Sequence, residues 1–212
     1  MKKILLIGDS IRQGYDYYVK EAFKGVADVR YPSTNCMFTT VILRHLAEWA
    51  ENLECKADVD LIHWNAGLWD DLIMLDYRRL VPPEIYKENV YRICVIIEKL
   101  FPNAKMIFAT STPMNGDLIK RDCKRTNQDT QLYNRIACDV IERCGGGVTD
   151  LYSVLEKVPV SFHSDVTHYY TKEGTQLITE TVVSGIEKAL DIKAHKLDYD
   201  RYFKSPNQIV GF

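Results

Sequence analysis

The stretch Lys3-Ile4-Leu5-Leu6-Ile7-Gly8-Asp9-Ser10 decides the fold. Its four consecutive aliphatic residues are too few for the core of a signal peptide, and they run straight into a Gly-Asp-Ser turn. The segment therefore reads as a first strand, Lys3–Ile7. Four more short runs with β-branched or aromatic content follow: Ala27–Tyr31, Val59–Trp64, Lys105–Thr110 and Val148–Leu151.

Between these runs the apolar spacing changes to that of a helix. Ile42, Leu46, Trp49 and Leu53 form one stripe, and Tyr86, Val90, Ile93, Ile97 and Leu100 form another behind the entry signal Pro82-Pro83-Glu84. Leu132, Ile136 and Val140 repeat the pattern before Gly145-Gly146-Gly147, a helix stop. A last helix, capped by Thr171 with Glu173 in its first turn, runs to Leu190 through Leu177, Val182 and Ile186. Each crossover helix must pack against the sheet. The alternation therefore predicts a three-layer α/β/α sandwich around a mainly parallel sheet of about five strands. Residues 1–192 are expected to make one domain, with 193–212 a tail that covers the surface or meets a partner.

In such a sheet, functional groups gather beyond the carboxyl ends of the strands. The first of these ends presents Ser10, whose backbone N–H faces the same space if a helix starts there. A Gly-Asp-Ser tripeptide by itself is also an ordinary turn with a serine cap. The second place is Ser164-Asp165-Val166-Thr167-His168, just ahead of the last helix. A serine hydroxyl needs an imidazole to take its proton, and the imidazole needs a carboxylate on its other nitrogen; Asp-x-x-His supplies both from one loop. His163 stands two residues before Asp165 and is the competing base. The third place is Asn65, after the strand ending at Trp64, where a side-chain amide can donate to an oxyanion or simply cap a turn.

Taken together, the Gly8-Asp9-Ser10 block and the Asp165-x-x-His168 block resemble the GDSL, or SGNH, hydrolases over roughly Lys2 to Leu190. The resemblance implies a flavodoxin-like α/β/α fold and metal-free ester or thioester hydrolysis. It assigns Ser10 as nucleophile, His168 as general base and Asp165 as its orienting acid. Two departures stand out. The usual Gly-x-Asn-Asp block would align with Gly67-Leu68-Trp69-Asp70, which puts Trp69 where the oxyanion asparagine belongs, so Asn65 is expected to supply the amide. The stretch Pro32-Ser33-Thr34-Asn35-Cys36 lacks the usual glycine, leaving the Cys36 or Asn35 backbone N–H to join that of Ser10 and the Asn65 side-chain amide. Asp9, Trp69 and Tyr169 are expected to touch substrate. The nearby aromatics Trp64, Trp69, Tyr169 and Tyr170 suit a sugar face or an acyl chain, or the rim of the core. Arg12 faces either an anionic substrate or a loop carbonyl.

Composition limits the alternatives. The 212-residue chain is 46% hydrophobic and 26% charged, with a net charge of −2, as expected of a globular protein without the basic footprint of a nucleic-acid binder. Its six cysteines show no Cys-x-x-Cys pair or metal-ligand spacing, so free thiols are expected, with Cys94 and Cys138 as small core residues. The expectation is therefore a cytoplasmic serine esterase without cofactor, metal or membrane span. Its substrates would be small, short-chain acyl esters, O-acetyl groups on carbohydrates among them. Lysophospholipase, thioesterase or acyltransferase chemistry through the same triad, a catalytically silent small-ligand binder, and homo-oligomerisation all remain open at this point.

Overall fold

The computed structural model describes residues 1–115 and 125–204. Among them, strands β1 (Lys2–Ile7), β2 (Ala27–Arg30), β3 (Leu61–Trp64), β4 (Lys105–Ala109) and β5 (Gly147–Thr149) form one sheet in the order β2-β1-β3-β4-β5. Every pairing is parallel, and Ile4 lies beside Val29 on one side and Leu61 on the other. The helices are α1 (Ser10–Ala22), α2 (Thr39–Asn52), α3 (Pro83–Leu100), α4 (Asn127–Arg143), the short α5 (Leu151–Leu155), α6 (Lys172–Leu190) and α7 (Tyr199–Tyr202).

The pleat of β1, paired on both edges, sorts the core into two halves. Leu5 and Ile7 pack with Ile62, Trp64 and Phe108 against α2, α3 and α4, while Ile4 and Leu6 pack with Leu61 and Ala109 against α1 and α6. A run without polar alternation is what a strand covered on both faces requires. Fully burying each such side chain contributes about 1.5–3 kcal/mol. The structure is thus the expected three-layer α/β/α sandwich with a five-stranded parallel sheet.

One strand boundary differs because of a capping residue. The strand expected over Val148–Leu151 stops at Thr149, because Asp150 turns to cap α5 and accepts the Ser153 N–H at 3.1 Å. Thr171 caps α6 as expected, its hydroxyl accepting the Gly174 N–H at 3.1 Å. Helix α1 lacks a clean apolar stripe because its buried face mixes Ile11, Tyr15 and Val19 with Arg12, Gln13 and Asp16.

Residues 193–204 follow α1. The His195 N–H donates to the Ala22 carbonyl at 2.7 Å, Tyr199 stacks on Tyr18 at 5.8 Å, and the Lys204 N–H donates to the Tyr18 hydroxyl at 3.1 Å. The rest of the tail, 205–212, and Cys123 lie outside the described residues. Cys94 is buried and Cys138 half-buried, both as free thiols. No helix among the described residues is long and apolar enough to cross a membrane.

Candidate active site

Ser10 opens α1 directly beyond β1, and the Asp9 side chain caps that helix by accepting the Ile11 N–H at 2.9 Å. The loop ahead of α6 brings His168 to it, with Nε2 2.8 Å from Ser10 Oγ. On the other side of the ring, Nδ1 is 2.8 Å from Asp165 Oδ2. The second carboxylate oxygen accepts the backbone N–H groups of Thr167 at 2.7 Å and His168 at 2.8 Å, which fixes the loop as a tight turn. Partial burial opposes ionisation of Asp165, but the His168 bond and these two N–H groups outweigh it and hold its pKa at about 2. An ionised carboxylate only accepts, so the imidazole proton belongs on Nδ1 and the Nε2 lone pair faces the serine.

His163 is not part of this arrangement. Its ring packs on Tyr169 at a centroid distance of 4.0 Å, its Nδ1 is buried without a hydrogen-bond partner, and burial lowers its pKa. The structure brings Ser10, His168 and Asp165 together and leaves His163 aside.

Asn65 follows β3, and its backbone N–H donates to the Ile7 carbonyl at 3.0 Å, which sets the asparagine beside the serine turn. Its side-chain Nδ2 donates to Asp9 Oδ1 at 2.9 Å. An amide nitrogen carries two hydrogens, so one remains for a ligand. The approach depends on Gly8: a Cβ there would lie 1.8 Å from Asn65 Oδ1, so a side chain at this position would displace the amide.

Three expected roles change. Asp9 is fully buried; burial raises its pKa against the hydrogen bonds from Asn65 and Ile11, and it serves as cap and as anchor for Asn65 rather than as a substrate contact. The Cys36 N–H is already committed to the Gly8 carbonyl at 3.0 Å, which removes it from the oxyanion donors. Tyr169 is 1% exposed, with its hydroxyl on the Pro113 carbonyl at 2.7 Å, so it belongs to the core. Its neighbour Tyr170 is the residue at the site, stacked on His168 at 4.7 Å. Trp64 is likewise core, packed edge-on against Phe108. Trp69 is half-buried on the turn four residues beyond Asn65.

Arg12 takes the second of its two expected roles. Fully buried, it pairs with Asp16 and donates to the carbonyls of Pro32 at 2.9 Å and Thr34 at 2.6 Å, tying the loop after β2 to the serine turn. Asp70 performs a similar service between the loops after β2 and β3. It accepts the Thr39 N–H at 3.1 Å and the Thr39 hydroxyl at 2.5 Å, capping α2 from outside its own chain segment. Burial, only partly offset by these bonds, pushes the Asp70 pKa up to about 7. Neither the Arg12 clamp on Pro32 and Thr34 nor the Asp70 cap on Thr39 is visible as a motif, because these partners are distant in sequence.

No protein-family model matches the chain, and no curated protein matches it in sequence. Solved structures do. A lipase/acylhydrolase from Enterococcus faecalis superposes with a TM-score of 0.70 at 21% identity, covering 93% of this chain and 100% of that one. A GDSL-like lipase from Bacteroides thetaiotaomicron gives 0.66 at 18% identity, covering 89% of each chain. An acetyl xylan esterase gives 0.70 at 14% identity, covering 87% of this chain and 99% of that one. Over nearly its whole described length, the chain has the fold of the GDSL-like lipases and acylhydrolases.

Proposed function

We propose that the chain is a serine carboxylic ester hydrolase of the GDSL/SGNH type, cleaving short acyl esters with Ser10, His168 and Asp165 as its triad. The observation that carries this reading is the single imidazole spanning Ser10 Oγ and Asp165 Oδ2, each at 2.8 Å. The shared fold with acylhydrolases supports it.

In this mechanism Ser10 Oγ attacks the acyl carbon while His168 Nε2 takes its proton, and Asp165 stabilises the imidazolium. The oxygen of the tetrahedral intermediate accepts the Ser10 N–H at the start of α1 and the free Asn65 Nδ2 hydrogen. The alcohol leaves with the proton from His168. Water then repeats the sequence on the acyl-enzyme and releases the acid.

Acetyl groups on carbohydrate are the favoured substrates. One structural neighbour is an acetyl xylan esterase, and the half-buried Trp69 beyond Asn65 offers a ring for a sugar face. The test combines fluorophosphonate labelling with kcat/KM for p-nitrophenyl acetate, butyrate, octanoate and palmitate and for acetylated xylo-oligosaccharides. Labelling at Ser10 with a maximum at acetate is expected. Absence of labelling would overturn the triad, and an optimum at octanoate or beyond would overturn the short-acyl assignment.

A further inference from the structure

Tyr170 touches both halves of the site. Its ring lies against the His168 imidazole at a centroid distance of 4.7 Å and an interplanar angle of 20°. Its hydroxyl donates to the Ser10 backbone carbonyl at 2.6 Å. Its own N–H donates to Ser164 Oγ at 3.1 Å, and Ser164 donates from both its N–H and its hydroxyl to the His168 carbonyl, at 2.9 and 3.2 Å. The residue is 9% exposed.

A space is reserved for this ring. Gly14 lies one helical turn beyond Ser10, and a Cβ there would sit 2.6 Å from Tyr170 Cε1 and 3.0 Å from Cδ1. Real Cβ atoms do not approach that closely, so any side chain at position 14 displaces the ring from α1. Glycine in the body of a helix is less stabilising than alanine, because it loses more backbone freedom on folding. The vacancy therefore costs α1 stability and gains a seat for Tyr170.

We infer that Tyr170 is a positioning residue that sets the His168 imidazole against Ser10, an inference resting on the triad reading above. Base and nucleophile belong to segments 158 residues apart, and His168 sits in a partly exposed turn whose other anchor, Asp165, is carried by the same loop. Asp165 fixes the ring within the loop. Tyr170 fixes the loop to the backbone of the nucleophile, and the stacked π face favours the imidazolium that forms as Ser10 gives up its proton. An error of about 1 Å in such a pair can cost on the order of 10²-fold in rate.

The experiment compares wild type with Tyr170→Phe, Tyr170→Leu and Gly14→Ala. Three readouts are taken: the rate of fluorophosphonate labelling, kcat and KM for p-nitrophenyl acetate, and the NMR shift of the His168 ring protons. The stacked tyrosine should hold those protons upfield in wild type. Tyr170→Leu is expected to lose that upfield shift and to lower labelling and kcat about 10- to 100-fold with KM nearly unchanged. Tyr170→Phe, which keeps the ring, should retain the upfield shift and lose about 5-fold, the worth of one hydrogen bond.

Gly14→Ala keeps the tyrosine and favours the helix. It should nevertheless move the His168 resonances and slow labelling, so the test survives even if Tyr170→Leu does not fold. Wild-type labelling rates and unmoved His168 resonances in Gly14→Ala, or in Tyr170→Leu, would overturn the positioning role while leaving the triad intact. A wild-type protein that does not label at Ser10 would overturn both.

Discussion

Asp9 and Asn65 share a buried hydrogen bond, Nδ2 to Oδ1 at 2.9 Å, that joins the loop after β1 to the loop after β3. The bond aims the remaining Asn65 hydrogen, so removing the amide should be felt mainly where negative charge develops. Asn65→Ala is expected to lower kcat about 10²–10³-fold with a smaller change in KM. Asp9→Ala should lose less, since it frees the amide to rotate without deleting it. Steady-state kinetics on p-nitrophenyl acetate decide the point, and an unchanged kcat in Asn65→Ala would reject the oxyanion role.

Ser10→Ala is expected to abolish turnover and covalent labelling, and His168→Ala nearly to do so, because loss of a triad member costs about 10⁴–10⁶-fold in kcat. His163→Ala should stay close to wild type, as its ring packs on Tyr169 away from the serine. A larger loss at His163 than at His168 would reverse the choice of base.

The Arg12 clamp predicts a stability defect with a local signature. Arg12→Met leaves Asp16 buried without its partner and the Pro32 and Thr34 carbonyls without their donor, a loss of about 3–5 kcal/mol on the scale of broken buried pairs. Urea unfolding measures the loss, and hydrogen exchange should show faster opening over residues 31–36. Arg12→Lys should recover little, since one ammonium cannot span the same fork of acceptors. Full recovery by lysine would show that charge alone matters there.

Asp70 and Asp71 predict a pH dependence. Burial raises both to about 7, above the value near 3.9 expected of an unfolded aspartate. The folded state therefore holds protons that the unfolded chain has released. Their contribution to stability is complete below about pH 4 and is lost as the pH rises through about 7. Asp70→Asn keeps an oxygen for Thr39 but cannot ionise. The difference in urea midpoint between pH 5 and pH 7.5 should be smaller in this variant than in wild type, and equal differences would show that Asp70 is ionised throughout.

The parts of the architecture that follow from burial alone were legible in the sequence. Ile4 to Ile7 reads as a strand because four aliphatic residues without alternation fit a two-faced environment, and the stripe from Tyr86 to Leu100 reads as a helix because its spacing fits one. Helix α1 was harder, since Arg12, Gln13 and Asp16 lie on its inner face and interrupt the stripe. Asp165 and His168 could be read because their spacing is local and their chemistry is paired. The choice between Tyr169 and Tyr170 could not, because adjacent residues leave the backbone on different sides and only the turn before α6 decides which one meets the imidazole. The commitment of the Cys36 N–H to Gly8 was equally hidden, since backbone donors carry no residue signature. Gly14 was the one available hint that a bulky group leans on α1 a turn beyond Ser10.

The sequence separation of Ser10 and His168 also bears on how the molecule is assembled. Ser10 follows the first strand directly, whereas His168 arrives only with the segment leading into α6, which must dock on the same layer as α1. Parallel pairings and contacts this distant along the chain form late, because the intervening loop must be closed before either end gains anything. During refolding, secondary structure and burial of Trp64 should therefore be regained before a reactive serine exists, and reactivity toward fluorophosphonate becomes a clock for the docking of the chain's final third.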